Sequence, residues 1–533
     1  MRRVVGFPGI LAALLATLSL SPVQAGSQEP GETELIVAVS GGDLELNPHH
    51  SIYSHEAQIL SGIYEGLFSY NPATLEPVRA AVRSFSKSRD GKTYTFYLRE
   101  DARWSNGDQL TANHFRDAWL RMIAPAEKAE YASFFDVIKG VKDYRSGRSN
   151  DPETVGISVI AQDVLQVTLE TPAAWFTRLL CHHSFSPVHP SMLGKDNWAS
   201  EAASVPCNGA FKIESYGPDG LVLKKNEMYW DADFVRLNGI RIVSPSSPKE
   251  ASRLFNNGEI HWLAGDADLD DLLNKNAIQA NPMFATHYWF FSCRTAPWSD
   301  PSVRRALALL APWDRIRSRE YYLMPATGLV LPVDGYEAPE GIQKANPEEA
   351  YSLLEKAGFP KGKGLPALRI LIPEGESALR IAELFKKAWM DALGLDVEIH
   401  TTPSARFYGG IREKTWDMTL NSWIGDFADP LAFLQMWTGD SSLNDSGYAD
   451  PEYDRRISES STMEGEERMK ALSNAEALLL DSGTVLPIFH SLAVNVVDTD
   501  IVEGWYPNAL DIHPFKYMAL GSPKALPNLV LAN

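Results

Sequence analysis

The stretch from Trp416 to Trp437, W-D-M-T-L-N-S-W-I-G-D-F-A-D-P-L-A-F-L-Q-M-W, changes its period midway, and that change constrains what the chain can build around it. Met418, Leu420 and Ser422 alternate with Thr419, Asn421 and Trp423 as in a strand, whereas Leu431, Phe433, Leu434 and Trp437 recur at helical spacing. A strand is therefore expected to end near Trp423 and a helix to begin near Asp429-Pro430, with the backbone turning through Gly425. The turn carries Asp426 between the aromatic residues Trp423 and Phe427. A carboxylate there, flanked by rings that shed water, could meet a ligand cation. The same acids also fit a plainer role, because Asp is a common N-cap and Asp429 directly precedes Pro430.

Composition narrows the class. At 533 residues the chain should hold about three to four average domains. Hydrophobic content of 44% and charged content of 22% are those of a globular protein, so a fibrous or disordered chain is excluded. Arg2 and Arg3, the apolar run Ile10 to Leu20 and the small-x-small Val23-Gln24-Ala25 read as a signal peptide over 1–25. That run is too short to span a bilayer, and no later stretch reaches the roughly 20 residues required. No Cys follows it, so the mature chain is expected in the periplasm by the general secretory route and not as a lipoprotein. The formal charge of −19 argues against nucleic acid or anionic lipid as partners. In an oxidising compartment two of the three cysteines are expected to pair, Cys181 with Cys207, leaving Cys293 over. Such a bridge would stabilise by about 3 kcal/mol in the chain-entropy picture. Three buried free thiols are the alternative.

Along the chain, strands are expected at Leu35 to Val39, Lys92 to Glu100, Val164 to Leu169, Leu221 to Lys225 and Ile240 to Val243, then at Ile260 to Leu263 and His287 to Ser292. Further strands read at Leu368 to Ile372, Asp396 to His400, Val485 to Phe489 and Val494 to Val497. Helices are expected over Ile59 to Phe68, after Thr111 with the stripe Phe115, Trp119 and Met122, and from Thr171-Pro172 to Leu180. Others follow after Ser247-Pro248, Asp300-Pro301 and Asn346-Pro347, over Ala378 to Leu393 stopped by Gly394, and over Tyr453 to Ser460 and Glu466 to Leu480. The strand-helix-strand order of the second half predicts a mixed α/β lobe.

Catalytic and metal motifs fail on inspection. His55-Glu56-Ala57-Gln58 opens like a zinc-protease motif, but Ile59 stands at the second His position. Asp266, Asp268 and Asp270 imitate a calcium loop, but Asp271 replaces the required Gly and Ala277 the bidentate Glu. No G-x-S-x-G occurs, and the adjacent His182-His183 read as packing residues. No enzyme activity, cofactor or metal is expected.

The segments Glu65-Gly66-Leu67-Phe68, Tyr94 to Asp108 (Y-T-F-Y-L-R-E-D-A-R-W-S-N-G-D), Asn208-Gly209-Ala210-Phe211, Asn226 to Trp230 and Lys356-Ala357-Gly358-Phe359 occur together with W-I-G-D-F-A-D-P-L-A-F-L. In that order they resemble the oligopeptide-binding proteins of bacterial ABC importers, of the extracellular solute-binding family 5 type. The likeness spans nearly the whole mature chain. It implies an α/β, two-lobed periplasmic binding protein fold with an extra domain inserted in the first lobe and the ligand cleft between lobes. The implied organisation is lobe I from 26–68, 186–287 and 490–533, the inserted domain at 69–185, and lobe III at 288–489. It further implies an oligopeptide ligand, permease subunits of an ABC transporter in the inner membrane as partners, and a monomer. Asp426 matches the position whose carboxylate holds the peptide α-ammonium, with strand-like backbone bonds from Trp423, Ile424, Gly425 and Phe427. Tyr131 matches an aromatic cleft residue of the inserted domain, and Ile52 and Ser54 lie in a cleft-bordering loop after Leu46-Asn47-Pro48. Ile411 and Leu420 occupy positions where some relatives place arginines that meet a peptide carboxylate, and Arg406 or Arg412 are the substitutes nearby. A metal chelate, a sugar or a muropeptide is the alternative ligand on the same fold, and a secreted hydrolase the more distant one.

Overall fold

The computed structural model describes residues 34–521, apart from 40–43, 52, 196–197, 319–322, 332, 334, 426 and 442. The signal peptide expected at 1–25 and the candidate residues Ile52 and Asp426 lie outside the described residues.

Two long strands, Ile278–Phe291 and Val485–Val497, pair antiparallel in the middle of an 11-stranded mixed sheet. On one side follow Met418–Ile424, Leu368–Pro373 and Val397–Thr402; on the other lie Trp262–Ala264, Glu34–Val39, Gly239–Val243, Gly220–Lys225 and Phe211–Gly217. The chain thus forms two α/β lobes, one on either side of the long pair. The crossings between them are strands rather than loops, so the boundaries expected at 287 and 489 fall within continuous β-structure.

Both strands are longer than their sequences announce. Asn281-Pro282 breaks the apolar pattern, and the register slips between Pro282 and Thr286 and again between His287 and Tyr288. Proline is tolerated at such an irregularity because the ladder there needs no donor. In the partner strand the polar His490 sits where two separate strands were expected to part. It is 5% exposed, and its Nδ1 lies 2.9 Å from the Thr286 hydroxyl, so a buried polar pair carries the strand through.

Within 69–185 a separate four-stranded antiparallel sheet orders Val82–Lys87, Thr93–Leu98, Val164–Thr168 and Ile157–Ala161. Tyr94, Phe96 and Leu98 bury alternately on one face, as the period-2 pattern requires. The expected caps form: Ser247 accepts from Glu250 N at 3.2 Å, Asp300 from Ser302 N at 2.8 Å and Asn346 from Glu349 N at 3.3 Å. Gly394, at φ 66, ends the helix Glu376–Leu393 in the left-handed conformation. Two expectations need correction. The helix read over Ile59 to Phe68 occupies Ser54–Ile63, Phe68 opening a strand instead, and the one read from Thr171 to Leu180 shrinks to Phe176–Leu179.

The cysteine pairing is corrected too, because Cys181, Cys207 and Cys293 are all free. The Cys181 thiol donates toward Ser69 O and Thr177 O, that of Cys207 toward Val205 O, so each is committed to its own backbone surroundings. Burial pushes the Cys207 thiol up to about 12, which keeps it protonated and inert.

Three of the segments that carried the resemblance, at 65–68, 208–211 and 226–230, converge on one buried anchor. Glu65 accepts from Tyr229 Oη, Trp230 Nε1 at 2.7 Å and Lys516 Nζ at 3.1 Å, while its backbone exchanges two hydrogen bonds with Asn208. Among the described residues no helix is long and apolar enough to cross a membrane.

In the second lobe Glu476 is fully buried, accepting from Leu329 N at 2.6 Å, Val330 N at 3.0 Å and the Tyr336 hydroxyl. Burial raises its carboxyl from 4.5 to about 7 against those hydrogen bonds. A raised folded-state value means that its stabilisation is complete below pH 4.5 and is lost as pH rises through about 7. Glu476→Gln keeps an acceptor for both amides and cannot ionise. Urea denaturation should show the wild type losing about 2 to 3 kcal/mol between pH 5 and pH 8 that the variant retains.

Candidate functional site

The strand Met418–Ile424 pairs along its whole length with Ala285–Phe291, whereas its other edge pairs with Leu368–Pro373 only at Met418 and Thr419. From Leu420 to Ile424 that edge has no strand partner among the described residues, and the Ser422 N–H turns instead to Asn421 Oδ1 at 2.9 Å. An unpaired edge presents backbone donors and acceptors to any extended chain that approaches. Ile424 closes the strand 56% exposed.

The loop that follows is held main chain by main chain. Gly425 N donates to Phe284 O at 2.7 Å, and a β-carbon on Gly425 would stand 2.2 Å from Phe284 Cδ1 and 2.9 Å from Phe433 Cε2. Only glycine lets the backbone pass between those rings. Trp423 spends its indole N–H on Ala432 O at 2.8 Å, which fixes the ring over the following turn. Phe427 is buried and stacks on Trp175 with centroids 5.3 Å apart at 18°.

Asp429 is not the N-cap of the short helix Leu431–Leu434, a place that Pro430 takes, but lies just ahead of it. It is fully buried; its Oδ1 accepts from Leu431 N at 3.0 Å, and Arg468 grips it through Nη1 at 2.6 Å and Nη2 at 2.8 Å. A bidentate guanidinium is the partner that makes a carboxylate tolerable in such a dry place. Neither Arg468 nor Arg178, whose Nη1 donates to Ala428 O at 3.1 Å, was singled out from the sequence. Their signals are long-range pairings that no local period encodes.

A cavity of about 560 Å³ borders the long strand Val485–Val497 at Leu492, Val494 and Asn495. It is lined by Ser54 at the first turn of its helix, His55, Gln58, Trp262, Leu492 and Val494, with Asp266 and Asp511 as its charged residues. The residues lining it include no Lys or Arg. Asp511 sits at φ 54, a strained backbone for a non-glycine residue, and its Oδ1 accepts from Asn495 Nδ2 at 2.8 Å and faces His513 Nε2 at 3.1 Å.

The remaining candidates scatter. Tyr131 is half-buried and packs edge-on against His182, 4.7 Å between centroids, and His183, 5.7 Å. Burial lowers His183 to about 4, so these rings are neutral packing partners. Leu46, Asn47, His49 and Ser51 are buried, which makes the expected cleft-bordering loop largely interior until Ser54 emerges. Ile411 is buried, Leu420 half-buried, and Arg406 and Arg412 are exposed on the helix Ser404–Glu413. Among the described residues no group of three His, Cys, Asp or Glu side chains could hold a metal ion.

Residues 76–445 match the family described as bacterial extracellular solute-binding proteins, family 5 Middle. The dipeptide-binding protein DppE of Bacillus subtilis is 28% identical over 512 residues, covering 92% of this chain and 91% of that one. The periplasmic oligopeptide-binding protein OppA of Salmonella typhimurium is 28% identical over 521 residues, covering 93% and 94%. Among solved structures, the unliganded open form of the periplasmic murein tripeptide binding protein MppA superposes with a TM-score of 0.79 at 24% identity, over 92% of this chain and 97% of that one. With a shared sheet bridging two lobes and a family match across most of its length, the chain belongs to the bacterial extracellular solute-binding proteins of family 5.

Proposed function

We propose that this protein is the extracytoplasmic substrate-binding component of an ABC importer, capturing oligopeptides by their α-ammonium and backbone and delivering them to the permease in the inner membrane. It acts as a periplasmic monomer and binds without altering its ligand. The relatives named above are binding proteins for dipeptides, oligopeptides and a murein tripeptide, which supports a peptide ligand over a metal chelate or a sugar.

The observation that carries the reading is the unpaired edge from Leu420 to Ile424, running straight into a loop whose backbone is fixed at Gly425 and Phe427. A receptor for many sequences must read what all peptides share, and a free strand edge reads backbone alone. Asp426, between those two fixed points in the sequence, supplies the countercharge to the α-ammonium. An enclosed pair at about 4 Å is worth on the order of 4 kcal/mol at an effective dielectric near 20, enough to set register. Trp423, Ile424, Gly425 and Phe427 contribute backbone and apolar cover, Ser54 borders the cavity, and Ile52 and Tyr131 are the further ligand-binding candidates. Among the described residues the cavity lining includes no lysine or arginine, which favours a peptide whose far end is solvated or apolar.

Two outcomes are expected from calorimetry with di- to pentapeptides. Asp426→Asn weakens free peptides by about 100-fold, roughly 3 kcal/mol, and leaves N-acetylated peptides nearly unchanged; equal losses for both would reject the anchor. Because Asp266 and Asp511 are the cavity's charges, peptides bearing Lys or Arg should bind on the order of tenfold tighter than those bearing Asp or Glu at the same position, and Asp511→Asn should reduce that preference.

A further inference from the structure

The three residues after Asp426 are each gripped from elsewhere in the chain, and two of the grips come from the inserted stretch. Trp175 stacks on Phe427 at 5.3 Å. Arg178 donates from Nη1 to Ala428 O at 3.1 Å, and its Nε lies 3.9 Å from Asp429 Oδ2. Its remaining nitrogen, Nη2, is 2.5 Å from Glu76 Oε1, so one guanidinium engages three acceptors with its side chain only 18% exposed. Asp429 is meanwhile saturated by Arg468 and by the Leu431 amide. Arg178 therefore adds little to neutralising that carboxylate. Its distinctive contact is the carbonyl of Ala428, a backbone acceptor that nothing in its own lobe satisfies among the hydrogen bonds of the described residues.

We propose that Arg178, aligned by Glu76 and accompanied by Trp175, is a positioning residue for ligand capture: the inserted domain sets the backbone from Phe427 to Asp429 before any ligand arrives. The inference rests on the reading of Asp426 as the ammonium anchor. A loop fixed in advance does not lose conformational freedom on binding, and that saving appears as affinity. Planarity is essential to the role, since a fork serves a carbonyl and a carboxylate in one plane where a lysine ammonium would serve one of them.

The test uses the full chain, desalted of ligand, as wild type, Arg178→Ala, Arg178→Lys, Glu76→Gln and Asp426→Asn. Hydrogen exchange followed by mass spectrometry reads the segment Gly425 to Leu431 without ligand, and recovery from mixed tetrapeptide libraries, free and N-acetylated, reads capture. Arg178→Ala should exchange that segment at least fivefold faster and lower the free-to-acetylated recovery ratio at least tenfold. Arg178→Lys and Glu76→Gln should fall between it and the wild type. Faster exchange confined to the helix Phe176–Leu179, with the loop and the ratio unchanged, would make Arg178 merely structural and overturn the proposal. Should Arg178→Ala fail to fold, Glu76→Gln decides alone by the same two readouts. If Asp426→Asn keeps the wild-type ratio, the anchor reading fails instead, and unchanged loop exchange in the Arg178 variants would still sink the positioning role separately.

Discussion

The pairing of Ile278–Phe291 with Val485–Val497 is the constraint on which the remaining architecture hangs. Two lobes joined by loops would keep no fixed relation, whereas two lobes built on one continuous antiparallel pair must share a sheet and its twist. The pair is not uniform. Its ladder breaks between Pro282 and Thr286 and slips again after His287, so the fewest cross-strand bonds oppose bending at the very level where the lobes meet. The loop after Ile424 attaches beside that break, through Gly425 N on Phe284 O, and the 560 Å³ cavity borders the partner strand at Leu492, Val494 and Asn495.

Around this level the buried polar groups divide by purpose. Glu65 ties the segment Asn226 to Trp230 to the C-terminal segment through Tyr229, Trp230 and Lys516, which gives the recognisable segments at 65–68 and 226–230 a structural role. Asp429 is the corresponding knot beside the loop. A carboxylate with no exposure and two guanidinium bonds would be costly to strip of either partner, so the backbone on both sides of it is held as firmly as a core strand.

Much of this was legible in the sequence, and the limits are physical. Caps at Ser247, Asp300 and Asn346 and the stop at Gly394 were readable because each is a local hydrogen bond or a local dihedral. The strand-to-helix change at Trp423 was readable from period alone. The length of Ile278–Phe291 was not, because its proline and slipped register are tolerated only through the partner strand more than 200 residues away. Nor was the role of Arg178, whose contact with Ala428 spans 250 residues. The cysteine pairing failed for a related reason: a shared compartment makes two thiols eligible, but only the fold brings sulfurs together, and here each is turned toward its own carbonyls.

The same contrast bears on how one receptor stays both firm and permissive. Gly425 is wedged between two rings, Phe427 lies against Trp175, and Asp429 is locked by Arg468, so the described residues on either side of position 426 are held in place. The neighbouring strand edge asks only for backbone, and the cavity bordered by Leu492 and Asp511 is roomy, with charge of one sign only among its lining residues. Had the tight part been built on side-chain pockets and the loose part on the anchor, the ligand would be chosen by sequence but free to slip in register. On the proposed reading the arrangement does the reverse: rigidity is concentrated where every peptide is alike, and space is left where peptides differ.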